Sequence, residues 1–266
     1  MNDLYAICDK MEEIARSTGR FVLGEVHKLH QSDIESKGFH DYVTYVDKEA
    51  EKQIVDKLQA LIPAAGFIAE ENTASHKGEE YNWVIDPLDG TTNFIHGIPV
   101  YSVSIALMQH RRIVAGVVYE PNRDESFRAV RDGGAYLNGK PMRVSREENL
   151  KESLIATGFP YYDYSRMPAF LELFRWCMEN THGLRRLGSA AVDLAYLACG
   201  RFEAFYEYGL NAWDVAAGSL IVQEAGGKVS DFSGGDDFLF GREIVAANKP
   251  LFNPFLEKVR EAFISK

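Results

Sequence analysis

Two acidic residues flank a proline at the end of an apolar run, within the segment from Trp83 to Phe94. Asp86 follows the run directly, and Asp89 precedes a Gly-Thr-Thr turn that begins at Gly90. Carboxylates this close repel each other unless a positive charge holds them, and hard divalent cations bind through such oxygen ligands. Backbone N–H groups after the glycine can receive an anion. The segment therefore predicts a metal site beside an anion site, which suits chemistry on a phosphate.

Each of these acids also has an ordinary structural explanation. Asp-Pro and Asp-Gly are common turn dipeptides, and taken alone that explanation would be preferred. Asp86 argues against it, because the residues before it are the buried-type pair Val84 and Ile85. A carboxylate next to such a run is costly unless it is paired or bound to a metal. The acids are therefore interpreted as ligands.

Three further acidic positions are candidates with strong structural alternatives. Glu70 and Glu71 close a short apolar strand, and alternation puts them on opposite faces, so one can face a metal while the other faces solvent. Asp47 is the fourth residue of a capping box that begins at Thr44, and spacing alone favours a helix cap. Asp214 stands where a helix begins, and nothing local decides between cap and ligand.

Other polar positions around predicted helix starts could bind an anion. Thr91 and Thr92 either cap a helix or mark N–H groups that cradle a phosphate, and the two interpretations are compatible. Gly188, Ser189 and Ala190 precede another predicted helix and form a second candidate anion socket. The neighbouring pair at 185–186, both arginines, is interpreted as an interface or a structural ion pair.

The composition excludes several classes of protein. The chain has 266 residues and a net charge of −10, which disfavours binding to duplex nucleic acid. No run of about 18 apolar residues predicts a membrane span, and the first residues lack a signal-peptide pattern. Cys8, Cys177 and Cys199 are scattered and are expected to be reduced thiols of a cytoplasmic protein. The seven histidines lack zinc-site spacing.

The first half of the chain, about residues 1–145, reads as two helices on a largely antiparallel sheet. Helices are expected over 3–30 and from Thr44 to about Leu61, separated by a polar loop over 32–42. Short strands are expected at 66–69 and 83–86, the second stopped by Pro87. A meander then follows at 101–108, 113–119, 125–130 and 135–137, with a tight turn at Asn138-Gly139.

The second half, about residues 146–266, alternates helices and strands. A new set of elements starts at 153–157. Helices are expected at about 166–179, 189–200, 214–225 and 250–264, and strands at 202–206, 228–230 and 244–247. Together the halves are expected to form a single domain over 1–266.

These motifs resemble the signature motifs of the inositol monophosphatase family. The run from Asp86 to Asn93 resembles its first signature, and the run from Trp213 to Gly218, followed by Glu-Ala-Gly-Gly at 224–227, resembles its second. Glu70 lies upstream at the usual offset. The resemblance covers essentially the whole chain in order, and the two signatures together are highly specific. It implies an α+β fold with α/β/α/β/α layers, usually dimeric, and Mg²⁺-dependent hydrolysis of a phosphate monoester.

The resemblance also implies roles for individual residues. Metal ligands would be Glu70, Asp86, the Leu88 carbonyl, Asp89 and Asp214, for two Mg²⁺ ions and, through Glu70, a third. Asp47 and Thr91 would orient and deprotonate the attacking water, which overturns the interpretation of Asp47 from spacing alone. The substrate would contact Asp89, Gly90, Thr91, Thr92, Gly188, Ser189, Ala190, Glu207 and Asp214. The loop around Lys37 would close near the metals.

The substrate implied by the resemblance is a phosphorylated polyol. Thr92-Asn93 resembles the inositol type, and Glu207 stands where inositol enzymes place a carboxylate that accepts ring hydroxyls, although an exposed loop acid explains it equally well. The expected reaction is myo-inositol 1-phosphate to inositol and phosphate by direct attack of metal-activated water. The alternatives are fructose 1,6-bisphosphate, histidinol phosphate, 3′-phosphoadenosine 5′-phosphate, or a non-enzymatic binding role in transcription. A homodimer is expected, with no nucleic-acid or membrane partner.

Overall fold

Helices and strands alternate in blocks along the chain. The computed structural model describes residues 4–30, 34–38, 41–74, 76–159 and 163–264, with the backbone alone at 36–38 and 41–42. The helices are α1 Leu4–Glu25, α2 Tyr45–Leu61, α3 Thr91–Ile95, α4 Met167–Asn180, α5 Ala190–Ala198, α6 Ala212–Glu224 and α7 Lys249–Phe263. The strands are β1 Ile34–Gly38, β2 Asp41–Thr44, β3 Gly66–Ala69, β4 Tyr81–Asp89, β5 Ser102–Gln109, β6 Arg112–Glu120, β7 Glu125–Val130, β8 Ala135–Leu137, β9 Lys140–Met142, β10 Leu154–Thr157, β11 Gly183–Arg185, β12 Ala204–Tyr208, β13 Lys228–Ser230 and β14 Glu243–Ala247.

Two large sheets form the frame of the molecule. Seven strands, β3 to β9, pair in sequence order, and the pairing is antiparallel except between β3 and β4. Five strands form the second sheet in the order β11-β10-β12-β14-β13. A separate hairpin joins β1 and β2. The local order of the first sheet follows from tight turns, and the crossed order of the second reflects its intervening helices.

The layers are α/β/α/β/α. Helices α1 and α2 pack on the outer face of the seven-stranded sheet, and α4 and α7 cover the outer face of the five-stranded sheet. Helices α5 and α6 lie between the two sheets in the largest apolar cluster. The protein thus has the α+β layered fold that the motifs imply. No helix within the described ranges is long and apolar enough to cross a bilayer.

Strand alternation decides which side chains enter the middle layer. In β4, Trp83 and Ile85 pack with the outer helices, whereas Val84 packs with α5 and α6. Because successive side chains alternate, Asp86 shares the face of Val84. In β12, Phe205 joins the middle cluster, so Glu207 also faces it. Acids from both sheets therefore point into the same layer.

Most predicted elements are present, but α1 ends at Glu25 rather than near residue 30, β9 was not predicted, and other segments also differ. The polar segment expected to be a loop contains the β1–β2 hairpin, so Lys37 lies in a strand, and its side chain is outside what is described. Strand β4 continues through Pro87 to Asp89. Strand β11 was missed because its three residues are too few for a periodic pattern. The expected turn at Asn138-Gly139 joins β8 and β9, with positive φ at both residues.

Candidate active site and metal centre

A bulge at Pro87 puts two acids on one face of β4. Asp86 pairs with Ser104, and Asp89 pairs with Ser102. An advance of three residues along β4 therefore corresponds to two residues along β5. Residues three apart on a regular strand point to opposite faces, and one extra residue restores the same face. Proline is tolerated there because a bulge needs no ladder hydrogen bond from that nitrogen. The backbone N–H of Leu88 donates to Asp86 Oδ1 at 3.0 Å and fixes the carboxylate.

Glu70 reaches Asp86 through the parallel pairing of β3 with β4. Ala69 pairs with Ile85, and the N–H of Glu70 donates to the Ile85 carbonyl at 3.3 Å. The two acids therefore follow neighbouring strands at the same sheet edge. The turn after Glu70 is held by the buried Glu51, whose carboxylate accepts from the N–H groups of Glu71 and Thr73, each at 2.8 Å.

Asp214 arrives from the middle layer on the first turn of α6. The Ser104 hydroxyl donates to the Trp213 carbonyl at 3.3 Å, and Ser104 is the strand partner of Asp86. The Asp214 carboxylate accepts from the N–H of Asn211 at 2.6 Å. Asp214 is thus tied to the helix start and also lies in the acidic cluster. The helix-start explanation offered by the sequence is confirmed, and the ligand role stays a prediction.

The four acids form one electrostatic unit. Burial raises the pKa of Asp86 well above its usual range, and the charges of Glu70, Asp89 and Asp214 raise it further. Burial raises the pKa of Asp89 to about 6, partly offset by hydrogen bonds to its carboxylate. The pKa of Asp214 rises to about 7 through burial and then through the charge of Asp89. Clustered acids of this kind require protons or cations to neutralise them.

These oxygens fit hard divalent cations. Within the described ranges, no three acid, histidine or cysteine groups already surround one ion-sized position. The charges of Glu70, Asp89 and Asp214 all act on buried Asp86 instead. Protons on the carboxyl groups relieve this repulsion without metal, and a bound cation would replace them. The donor set, all carboxylate and carbonyl oxygen, is the chemistry that Mg²⁺ prefers.

Asp47 and Thr91 contact each other at the edge of this cluster. Asp47 is fully buried, and its Oδ2 accepts from the Thr44 N–H at 2.8 Å and hydroxyl at 2.6 Å. Its Oδ1 accepts from the Thr91 hydroxyl at 3.0 Å, and that hydroxyl also lies 3.0 Å from the Leu88 carbonyl. Burial raises the pKa of Asp47, and its hydrogen bonds oppose the rise. The capping box is confirmed, and the same carboxylate also contacts Thr91.

The predicted anion socket before α5 already receives an anion from within the protein. The hydroxyl of Ser189 and the N–H of Ala191 donate to Asp89 Oδ2 at 2.6 and 2.7 Å. Ser189 also caps α5 by accepting from the Val192 N–H at 3.3 Å. Helix α3 differs from expectation, because its N-cap is Gly90 and neither threonine caps it. Gly90 has φ of 101°, a left-handed conformation that favours glycine.

A pocket of about 160 Å³ opens over these groups. Its walls include Asp89, Asp214 and Glu70 together with the expected substrate contacts, namely Gly90, Thr91, Thr92, Gly188, Ser189, Ala190 and Glu207. Asp86 and Leu88 are buried beneath it. Glu207 is 8% exposed rather than a solvated loop acid, and burial raises its pKa well above the usual range.

The pocket includes Gly158 and Asp193, which the sequence interpretation did not name, and Arg186, which it assigned to an interface or a structural ion pair. Arg186 lines the pocket and supplies the positive charge that lowers the pKa values of Asp89 and Glu207. Gly158 lies against Glu207, where a Cβ would come within 1.9 Å of a carboxylate oxygen. Asp193 is a buried acid on α5. The signal for Asp193 was available, since it is the only charged residue between Ala190 and Ala198.

A sequence model of the inositol monophosphatase family matches residues 6–263. This chain belongs to that family. The family is generally metal-dependent, and membership supports phosphatase activity on a phosphorylated substrate. The match and the layered fold agree with the motifs that carried the resemblance.

Similar proteins have two kinds of name. The "Nus factor SuhB" of Pseudomonas aeruginosa is 45% identical over 92% of this chain and 93% of its own. The "Inositol-1-monophosphatase" of Mesorhizobium japonicum is 41% identical over 96% of this chain and 97% of its own. The crystal structure of the extragenic suppressor protein suhB from Bartonella henselae superposes with a TM-score of 0.90 at 40% identity, over 96% of this chain and 99% of that one.

Replacing Ser189 with alanine removes its bonds to Asp89 and to the Val192 N–H. We expect the free energy of unfolding to fall by about 1–2 kcal/mol, because a helix cap is lost. Mg²⁺ affinity should fall by about tenfold or more, because a donor that orients a ligand is lost. Urea unfolding and calorimetric Mg²⁺ titration measure the two effects.

The matched control is Asn248→Ala, which removes the N-cap of α7 outside the pocket. It should lower stability and leave Mg²⁺ affinity unchanged. Equal Mg²⁺ affinity in both variants and the wild type would contradict the role of Ser189.

The raised pKa values of Asp89 and Asp214 predict a pH-dependent response to Mg²⁺. Between the unfolded value near about 3.9 and the folded values, the folded state holds more protons, so metal-free stability should decrease as pH rises. Metal binding needs ionised carboxylates, so affinity should increase over the same range. The Mg²⁺-induced rise in Tm should be larger at about pH 8 than at about pH 5. A rise independent of pH, measured by differential scanning calorimetry, would exclude this account.

Proposed function

We propose that this protein is a Mg²⁺-dependent phosphatase that hydrolyses a polyol phosphate monoester, with myo-inositol 1-phosphate as the first candidate. The observation that carries the proposal is the convergence of buried Asp86 with Glu70, Asp89 and Asp214 beneath one pocket. A protein gains nothing in stability from four clustered acids, so their convergence favours a functional site.

The residues with metal-binding roles are Glu70, Asp86, the Leu88 carbonyl, Asp89 and Asp214. We propose that they hold two Mg²⁺ ions, with Glu70 a ligand for a third. When bound, such ions lower the pKa of water and neutralise charge on phosphate oxygens. The protein fixes its ligands through the Leu88 N–H, the Ser189 hydroxyl and the Asn211 N–H.

Asp47 and Thr91 would orient and deprotonate the attacking water. Thr91 donates its proton to Asp47 Oδ1, which leaves a hydroxyl lone pair available to accept a hydrogen bond from water. Burial makes Asp47 a stronger base than an exposed carboxylate. A proton taken from water at Thr91 Oγ1 can pass to Asp47 through this 3.0 Å bond. No covalent intermediate is needed.

The rest of the pocket would bind the two ends of the substrate. N–H groups of Gly90 and Thr91 lie beside the acids and would donate to phosphate oxygens. Glu207 would accept hydroxyl groups of the polyol, as its burial in the pocket wall suits a hydrogen-bond acceptor. Ser189 and Ala190 line the wall between these two regions.

Asp47→Asn tests the proposed base. We expect kcat to fall by about 10²–10⁴-fold, because general-base catalysis typically contributes that much. Phosphate release from myo-inositol 1-phosphate is the measurement. Asp56→Asn, an exposed acid on the same helix, is the control and should retain wild-type kcat. Full kcat in folded Asp47→Asn would remove this residue from the mechanism.

The substrate itself is tested with a panel of esters. Myo-inositol 1-phosphate, fructose 1,6-bisphosphate, histidinol phosphate and 3′-phosphoadenosine 5′-phosphate are compared with and without Mg²⁺. We expect Mg²⁺-dependent phosphate release to be highest with the inositol ester. Glu207 and Asp193 line the pocket, and their carboxyl oxygens can accept hydrogen bonds from ring hydroxyls. A strong preference for another ester would retain the mechanism and change the substrate. No release from any ester would contradict the phosphatase proposal.

A second candidate function is a non-enzymatic binding role in transcription, which the name Nus factor SuhB of several relatives suggests. The 45% identity to the Pseudomonas aeruginosa protein over nearly the whole chain favours it. The two roles are separable by genetics in the organism that carries this gene. Asp89→Asn that restores the growth of a deletion strain, without detectable phosphatase activity, would support the second role. Failure of the folded variant to restore growth would support catalysis.

A further inference from the structure

Helix α5 carries one acid in an otherwise uncharged, fully buried segment. Every residue from Ala190 to Ala198 is buried, and Asp193 is 1% exposed. Among the described residues, Asp193 Oδ1 has no hydrogen-bond partner. A buried acceptor without a partner is rare in native proteins and destabilises the fold. The Oδ1 of Asp193, unpaired within the described part of the chain, therefore indicates that a bound ligand supplies the hydrogen-bond donor.

The helix start does not need Asp193. Carboxylates in the first turn of a helix commonly satisfy its unpaired N–H groups. Here the Ser189 hydroxyl accepts from the Val192 N–H, and Asp89 accepts from the Ala191 N–H. Both donors are thus taken by other oxygens, which leaves the carboxylate of Asp193 without a capping role.

The charged groups that face Asp193 all line the same pocket. Glu207 and Asp89 raise its pKa, in addition to burial, and Arg186 lowers it. Each of these four side chains contributes to the pocket wall. Glu207 is fixed against Gly158, where any side chain would displace its carboxylate. Asp193 and Glu207 therefore form a pair of acceptors that share one pocket wall with the Arg186 guanidinium.

We propose that Asp193 is a specificity-determining residue that, together with Glu207, accepts hydrogen bonds from hydroxyl groups of the substrate. This inference rests on the phosphatase function proposed above. A ring hydroxyl supplies the donor that Asp193 Oδ1 lacks. Two acceptors on different elements, α5 and β12, require two hydroxyls held in a fixed relation, as on a cyclic polyol.

The same pair selects against a second phosphate. Two carboxylates and one guanidinium give this part of the pocket a net negative charge when all are ionised. A bisphosphate would place like charges together, and this repulsion discriminates against it. A neutral, hydroxylated ring satisfies the acids without repulsion. The substrate class is therefore a cyclic polyol monophosphate.

Kinetics on two esters tests the inference. Asp193→Ala should lower kcat/KM on myo-inositol 1-phosphate by about 10–100-fold, mainly through KM, because a hydrogen bond to a charged group is lost. On p-nitrophenyl phosphate, which has no ring hydroxyl, the change should stay within about twofold. Asp193→Asn keeps an acceptor oxygen and should retain more activity than alanine. Equal losses on both esters would overturn the specificity role.

Stability separates this role from a structural one. Because Asp193 Oδ1 is buried without a partner among the described residues, Asp193→Ala and Asp193→Asn should have a Tm equal to or above that of the wild type. A structural carboxylate would give a lower Tm in both variants, and that result would also overturn the proposal. Asp56→Asn serves as the control for each measurement.

A binding measurement distinguishes failure of this inference from failure of the phosphatase function. Calorimetry in Mg²⁺ compares the phosphonate analogue of myo-inositol 1-phosphate, which cannot be hydrolysed, with methylphosphonate. Weaker binding of the inositol phosphonate by Asp193→Ala, with methylphosphonate unchanged, supports the inference even if no ester is turned over. Equal binding by wild type and variant, or no binding by wild type, overturns it.

Discussion

Mutual repulsion among buried carboxylates is the constraint on which this structure depends. Asp86 is 2% exposed, and Glu70, Asp89 and Asp214 all raise its pKa. Bringing such groups together opposes folding, and the surrounding packing must supply the energy. A divalent cation would turn this repulsion into a net attraction, because the same oxygens would become its ligands. Metal binding, protonation and stability are therefore linked through one cluster of side chains.

The layered fold provides the necessary packing. The two sheets bury apolar surface against α5 and α6, and the acids enter at the end of that shared core. Gly116 on β6 lets α6 approach closely, since a Cβ there would lie 3.0 Å from the Cα of Ala217. At the start of α5, the N–H of Ala191 donates to Asp89, which lies on the seven-stranded sheet. The candidate site thus joins the halves of the chain, and neither half contains all four of its acids.

Sequence patterns predicted the parts of this arrangement that depend on local order. The signatures located Asp86, Asp89 and Asp214, and periodicity located most helices and strands. Relations between distant segments could not be predicted. The bulge at Pro87 depends on pairing with β5, and the burial of Glu207 depends on Gly158, far away in the sequence. Asp193 was visible as a lone acid in an apolar helix, but its missing partner is a property of the fold.

The most direct test of the account is a crystal structure grown with Mn²⁺, which replaces Mg²⁺ at oxygen sites and scatters anomalously. The account predicts anomalous peaks within bonding distance of Asp86 and Asp89, with Glu70 and the Leu88 carbonyl on one ion and Asp214 on the other. Crystals that show no peak in this cluster would contradict the central claim.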